Sequence, residues 1–477
     1  MDRELLISSV SASVTALGWF MLGFTALQYL LYSLHTILAF FELRSAQRRD
    51  RHTEEGWLLG AKSIPGISLL VPAYNEERTV VENIRSLLTL RYPRFEIIVV
   101  NDGSTDGTAA AVIAAFRLER SELQRPPVAP CQPIRGIYRQ RDFPNLLFID
   151  KENGGKSDAL NAALNHARHP LVCGVDADSL LDHHALLKAV RPFVEQPGSL
   201  LAVGGTIRIA NGCEVRSGLI VREGTPHRLV PLIQIVEYLR AFLIARLAFS
   251  RLGSVSIISG AFGLFKRSAV LQVGGYSHGT VGEDMELIVK IHRKFCDAGQ
   301  PYHILFIPDP VCWTEAPETL AQLRRQRTRW QRGLCEVLWL HRGMLLRPRY
   351  GRIGLLSLPL FVLFDVVGPV LDLAGLTLLP LCWAAGLLDF ELLAACFAVV
   401  VRYGIFLSMI ALVLGELALF KTTRKRDMLA LALAAIAENF GYRQLNLLWR
   451  IEGTWQFIRG QKHWGEMIRT GFHRPPA

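Results

Sequence analysis

Val175-Asp-Ala-Asp178, Gly282-Glu-Asp-Met-Glu286 and Arg325-Gln-Arg-Thr-Arg-Trp-Gln-Arg-Gly333 carry the residue types in this chain that could do chemistry. In the first, Asp176 and Asp178 follow an apolar run of buried-strand length, which sets both carboxylates at the strand's carboxyl end. Their mutual repulsion is offset when a divalent cation sits between them and a diphosphate, and hard oxygen ligands of this kind suit Mg²⁺ or Mn²⁺. Asp178 is the expected direct ligand, with Asp176 as a second ligand or as a contact to sugar or ribose. In the third stretch, Gln326, Arg329 and Trp330 fall on neighbouring positions of one helix face. Arg329 can neutralise charge on a departing diphosphate, and Trp330 offers an apolar face to a sugar ring. Each pattern also has a plain structural explanation: capping at a strand end for Asp-x-Asp, a helix start whose acids complement the dipole for Glu283-Asp284, and an interfacial Arg/Trp helix for the last.

These residues need a scaffold that brings distant stretches to one place. Ile67-Ser-Leu-Leu-Val-Pro72, Glu96-Ile-Ile-Val-Val-Asn101, Leu146-Leu-Phe-Ile149 and Leu171-Val-Cys-Gly-Val175 are short apolar runs of buried-strand length. Helical stretches between the first two and between the last two predict βαβ units and a mostly parallel sheet. Such sheets bind ligands at the carboxyl ends of their strands, where Val71-Pro-Ala-Tyr-Asn-Glu-Glu77 and Val99-Val-Asn-Asp-Gly-Ser-Thr-Asp-Gly-Thr108 place polar loops. Lys151-Glu-Asn-Gly-Gly-Lys-Ser-Asp-Ala-Leu-Asn161 adds glycines that admit close backbone approach and a Lys156 able to reach a phosphate or sugar hydroxyl, or simply solvent. The proline-rich stretch 119–145 reads as a loop insertion.

In this order the motifs resemble the D, DxD, ED, QxxRW series of family 2 glycosyltransferases, especially the membrane-bound polysaccharide synthases. The resemblance covers roughly residues 65–335. It implies an α/β GT-A-like, nucleotide-binding fold and an inverting single displacement. It implies that Pro72, Tyr74, Glu76 and Asp102 line the uridine end of a donor pocket, with Asp102 accepting a hydrogen bond from the base. Lys156 falls in a segment similar to the family's KxGGKxxALN and is assigned to the donor site. Ser259 and Gly260, in Ile258-Ser-Gly-Ala-Phe-Gly-Leu-Phe265, are placed beneath the acceptor, and Gln326 and Trp330 on the acceptor side with Trp313 in the same floor. Asp284, beside Glu283, becomes the general base that accepts the proton of the attacking hydroxyl.

Composition sets the compartment. The 477 residues are 50% hydrophobic with mean hydropathy +0.25, too apolar for an ordinary soluble domain. Residues 12–41 carry no charged side chain and no cleavage pattern follows, which predicts an anchoring helix. Arg44, Arg48, Arg49 and Arg51 follow it while only Arg3 precedes it, so the positive-inside rule puts the middle of the chain in the cytosol of an integral protein of the cell (inner) membrane. Eight scattered cysteines without a CxxC pair argue against a disulfide framework or a zinc module. The net charge is +11, but nine arginines against Glu336 alone among the acids cluster between Arg324 and Arg352, which fits anionic headgroups or a diphosphate and no nucleic acid.

The expected layout is an anchor with basic flank at 1–52, a cytosolic domain at 60–345, membrane helices at 353–450 and a basic amphipathic or interfacial tail at 451–477. Apolar runs 353–388 and 391–420 read as spans, the first as a kinked helix, two short helices or a re-entrant element. The run 428–449 is flanked by basic residues on both sides and reads as re-entrant or interfacial. Asp365, Asp372, Arg402, Glu416, Glu438 and Arg443 fall in or near these segments, as channel lining or as interhelical pairs. The preferred function is a processive synthase elongating a β-linked polysaccharide from a UDP-sugar, similar to poly-N-acetylglucosamine, hyaluronan, chitin or cellulose synthases. The alternatives are single-sugar transfer to a lipid, as in ceramide glucosyltransferase-like enzymes, and a non-catalytic nucleotide receptor. Membrane lipids are expected contacts, and no export or regulatory partner is identified.

Overall fold

Uninterrupted apolar runs form strands covered on both faces, and those of this chain build the centre of a large sheet. The computed structural model describes residues 2–52, 64–122, 126–196, 198–216, 218–418 and 424–461. In chain order the strands are β1 (Ile67–Ala73), β2 (Phe95–Asp102), β3 (Glu119–Ser121), β4 (Ile134–Arg139), β5 (Leu146–Lys151), β6 (Leu171–Gly174), β7 (Leu180–Leu181), β8 (Leu200–Ile209), β9 (Glu214–Arg216), β10 (Leu219–Arg222), β11 (Gly263–Lys266) and β12 (His303–Thr314). Ten of them form one sheet in the order β3-β4-β5-β2-β1-β6-β11-β8-β12-β7.

The four runs visible in the sequence are its parallel centre, β5-β2-β1-β6. Beyond them the sheet is mixed: β11 runs antiparallel to β6 and β8, and β8 pairs with β12 in parallel. The 119–145 stretch is more than a loop. Its β3 and β4 extend the sheet antiparallel past β5, with β3 at the edge, and their charged residues hide the hydrophobic pattern. The proline-rich part between them is fastened to the Lys156–His166 helix, where Asn165 Oδ1 accepts from Val128 N and Ala129 N at 3.0 and 2.8 Å.

Among the described residues, three helices are long and apolar enough, by length and composition, to cross a membrane: Ala12–Arg48, Ile353–Ala384 and Phe390–Ala418. The first, within a helix running Asp2–His52, packs on Phe390–Ala418, where Tyr29 Oη donates to Val400 O at 2.9 Å, and on the 229–251 helix. The second is one continuous helical run whose wide π-helical turns, Ile353–Ser357 and Phe361–Val367, fall before Pro359 and Pro369 and accommodate their missing donors. The 428–449 run does not form a span. A helix Lys425–Ala437 ends at a break where Gly441 takes φ 96°, and Arg443–Ile458 then lies along the Leu320–Leu340 helix. Thirteen residues are too few to cross a bilayer. The last helix thus runs through the expected boundary at 450 and packs against the sheet-bearing unit. Most of the 451–477 tail, Trp464 included, and residues 421–423 of the basic flank before the 428–449 run lie outside the described residues.

Candidate active site

Strand register gathers the polar loops at one edge. Ala73 of β1 lies beside Asn101 of β2, Asp102 beside Lys151 of β5, and Leu70 of β1 beside Gly174 of β6. The segments following β1, β2, β5 and β6 therefore leave from a common crevice. β11 runs the other way with Gly263 opposite Gly174, which delivers residues 258–262 to the same edge.

The β1 and β2 loops are stitched together. Asn75, with φ 56°, accepts from Thr105 N at 2.8 Å through Oδ1, and its own N–H donates to Ser104 Oγ at 3.0 Å. Glu76 is buried and accepts from Thr79 Oγ1 at 2.6 Å, while Tyr74 stays half-exposed.

Asp102 is a hub. Its Oδ1 accepts from Lys151 Nζ at 2.5 Å and Gly154 N at 3.1 Å, and its Oδ2 from Gly155 N at 2.7 Å and Asn153 Nδ2 at 3.3 Å. These donors use the roughly four lone-pair positions of a carboxylate. Asp102 thus builds the turn into the Lys156–His166 helix, with Gly155 at φ 86°, and any contact to a base would replace one of these bonds. Lys151, absent from the sequence candidates, also pairs with Asp158 at 2.5 Å and is fully buried.

Lys156 stands between two acids, Asp176 at 2.7 Å and Glu283 at 2.9 Å. Burial disfavours its charge, yet these two carboxylates hold its pKa above the usual lysine range. A Cβ at Gly260 would come within 2.7 Å of Lys156 Nζ, so a side chain there would push the ammonium from its place between the two acids. Gly260 N in turn donates to Asp284 Oδ2 at 3.2 Å, and Met285 N donates to Oδ1 at 2.8 Å, which aims the carboxylate from the first turn of the Glu283–Asp297 helix. Burial and then the neighbouring Glu283 raise the Asp284 pKa to about 6.

The two acceptor-side motifs are locked by a backbone contact. A Cβ at Gly333 would meet Gly282 N at 2.9 Å, and one at Gly282 would meet Gly333 C at 3.2 Å. Glu336, one turn below, accepts from Val281 N at 2.8 Å. Gln326 Oε1 is buried without a hydrogen-bond partner among the described residues. Trp330 is stacked by Arg327 at 4.6 Å, and Arg327 is itself paired with Glu237 at 2.6 Å.

Lys156, Asp176, Asp178, Ser259, Gly260, Glu283, Asp284, Gln326, Arg329 and Trp330 line one cavity of about 1290 Å³. Its wall continues along Gln28, Tyr29 and Tyr32 of the first helix and Asp365 and Asp372 of the Ile353–Ala384 span. Pro72, Tyr74, Glu76 and Asp102 stand on the adjoining loops, outside that wall. Trp313 does not reach it. Its side chain is 5% exposed, packs with Leu180 and Ala210, and lies 5.6 Å under the Arg208 guanidinium. Arg246 lines the cavity and was missed; a lone arginine inside the apolar run Phe242–Leu247 was the available signal.

Residues 137–333 match the domain described as glycosyltransferase like family 2, and residues 68–125 match glycosyl transferase family 2. The chain belongs to glycosyltransferase family 2. It is 31% identical over 306 residues to a poly-β-1,6-N-acetyl-D-glucosamine synthase of Staphylococcus aureus (strain COL), a match covering 64% of this chain and 61% of that one. The synthase of the same name from Staphylococcus epidermidis is 32% identical over 278 residues, covering 58% and 56%. The match thus spans about three fifths of these relatives. Among solved structures, a mannosyltransferase from Pyrobaculum calidifontis, in complex with GDP-Man and Mn²⁺, aligns over 95% of this chain and 99% of its own with a TM-score of 0.53 at 19% identity. The family 2 domain and the flanking helices therefore share one overall fold with that protein.

Proposed function

We propose that this protein is an inverting membrane glycosyltransferase that passes a sugar from a UDP-sugar to a growing β-linked polysaccharide, with N-acetylglucosamine in β-1,6 linkage as the favoured product. The observation that carries the reading is the single cavity that holds Lys156, Asp176, Asp178, Asp284 and Arg329 at one end and membrane-helix side chains at the other. A volume of about 1290 Å³ exceeds the roughly 300–1,000 Å³ of a small-molecule site, so donor and acceptor sugars can occupy it together. The names of the staphylococcal relatives favour the polymer over a one-sugar glycolipid.

In this reading Asp284 accepts the proton of the acceptor hydroxyl as its oxygen attacks the anomeric carbon. A pKa near 6 leaves it ionised yet basic enough for the task at neutral pH. Trp330 supports the acceptor ring, Gln326 offers it an acceptor atom, and Arg329 with Lys156 neutralises the diphosphate. Asp178 and Asp176 would hold Mg²⁺ or Mn²⁺. The fit is chemical: Asp176 already stands against a cation, Lys156 Nζ, and two carboxylates at a strand end are the donors such an ion takes alongside phosphate oxygens and water. No group of three or more candidate ligands occurs among the described residues. When bound, the ion stabilises the departing nucleoside diphosphate.

The basic flank after the first helix supports a cytosolic domain held at the cell membrane. The test is product size from purified protein in nanodiscs with individual UDP-sugars and Mn²⁺ or Mg²⁺, against EDTA and Asp284→Asn controls. A metal-dependent polymer supports the reading. A short lipid-linked product would replace it with single-sugar transfer, and absence of turnover with every donor would overturn it.

A further inference from the structure

One π-helical stretch, Leu239–Arg246, carries two arginines with different fates. Arg240 is consumed by structure: its guanidinium bonds Glu438, at 2.9 Å from Nη2 to Oε2, and Ser408. Arg246 is held differently. Its guanidinium carbon lies 3.7 Å from the centroid of the Phe242 ring and 5.8 Å from that of Phe306, two buried rings that pin its plane. Its Nη1 is enclosed, with no hydrogen-bond partner among the described residues. It faces the cavity whose wall it shares with Ser259, Gly260, Asp284 and Trp330.

A buried, unpaired guanidinium donor in a native fold calls for an explanation, because desolvation without a partner is unfavourable. π-helical turns are rare and recur at functional sites, since the extra residue re-aims the side chains that follow. Burial lowers the Arg246 pKa to about 10, with Asp284 the acid that opposes the fall, so the group is charged at neutral pH and close enough to the proposed base for the two to act on each other. The diphosphate already has Lys156 beside Asp176. Arg246 comes instead from the 229–251 helix, which packs on the first span and so approaches the site from the membrane side.

We propose that Arg246 binds the acceptor: its unpaired Nη1 donates to an oxygen of the acceptor sugar, a ring hydroxyl or an amide carbonyl, and holds the attacking hydroxyl against Asp284. This rests on the glycosyltransferase reading above and assigns to it a residue outside the motif series. A rigid donor facing a neutral sugar oxygen confers selectivity, because an acceptor lacking that oxygen leaves the donor unpaired.

The experiment uses the full chain in nanodiscs with UDP-N-acetylglucosamine and a short β-1,6-linked N-acetylglucosamine oligomer as added acceptor. Arg246→Gln is expected to raise the acceptor KM by about tenfold or more while the dissociation constant for UDP-N-acetylglucosamine, measured by calorimetry, stays within about twofold. Arg246→Lys, which keeps the charge and most of the volume, is expected to fall between and settles the matter if the glutamine variant does not fold. An unchanged acceptor KM, or a parallel weakening of donor binding, overturns the assignment. Wild-type protein that turns over no donor overturns the underlying function and this assignment together, whereas a working wild type with an indifferent Arg246 overturns only the latter.

Discussion

The two ends of the cavity handle charge in opposite ways. Toward the membrane helices, two acids are matched with arginines: fully buried Glu438 is held by Arg240 and by Arg443 at 2.7 Å with Ser408 between helices, and Asp365 takes Arg450 at 2.7 Å. Toward the sheet edge, Lys156 is shared by two acids, and Gln326 Oε1 and Arg246 Nη1 are buried without hydrogen-bond partners among the described residues. Apolar surroundings force the first arrangement, since an unmatched ion there is very costly. The second persists where a polar ligand supplies the missing partners, and a perturbed acid such as Asp284 is found at that end. The charges among the helices thus read first as struts, although Asp365, Asp372, Arg443 and Arg450 also line the cavity.

The largest break in this contrast comes from the sheet end. Asp284→Asn is expected to lower sugar transfer by about 10²–10⁴-fold with donor binding retained, measured as UDP release beside calorimetric donor affinity. Chelation by EDTA, or Asp178→Ala, is expected to remove about 10²-fold or more of activity, with only the chelated wild type recovering fully on addition of Mn²⁺. Glu438→Gln tests the other end. Removing the one anion between two arginines is expected to destabilise the helix assembly by about 3–5 kcal/mol, read as a lower melting temperature in detergent, with residual transfer scaling with folded protein rather than with chemistry.

A subtler effect concerns pH. The acid form of Asp284 cannot take a proton, so kcat/KM is expected to rise tenfold per unit below about pH 6 and level off above it. Glu283 raises that pKa by its charge, so Glu283→Gln is expected to move the inflection to lower pH; an inflection that stays put would remove Asp284 from the base role. The smallest effect is expected at Trp313→Phe, with transfer within about twofold and a stability loss near 1 kcal/mol, because the ring fills a core between Leu180 and Ala210.

Much of this was legible in the order of residues. Four apolar runs marked the parallel strands, and the loops behind them marked the crevice. Spacing by three and four put Gln326, Arg329 and Trp330 on one wall, as observed. What escaped were features without a local signal. β3, at the sheet's edge, and β4 beside it carry charges that mask the pattern, and Trp313 alternates to the wrong side of β12. Lys151 reads as an ordinary strand-end lysine until its pairing with Asp102 and Asp158 is seen. The helix break at Gly441 was anticipated only as an inability to span, inferred from basic flanks.

The sequence by itself determined which atoms are available and on which elements they ride: paired carboxylates after a buried strand, an acid pair at a helix start, an Arg/Trp helix and apolar segments of spanning length. These follow from periodicity and side-chain chemistry, which act over a few residues. The tertiary structure alone decided that Gly282 and Gly333 touch, that Asp102 serves the glycine turn, that Arg246 faces Asp284's cavity while Arg240 braces Glu438, and that this cavity continues into the membrane helices. Those are contacts between residues dozens to hundreds of positions apart, set by sheet register and helix packing, and nothing local encodes them.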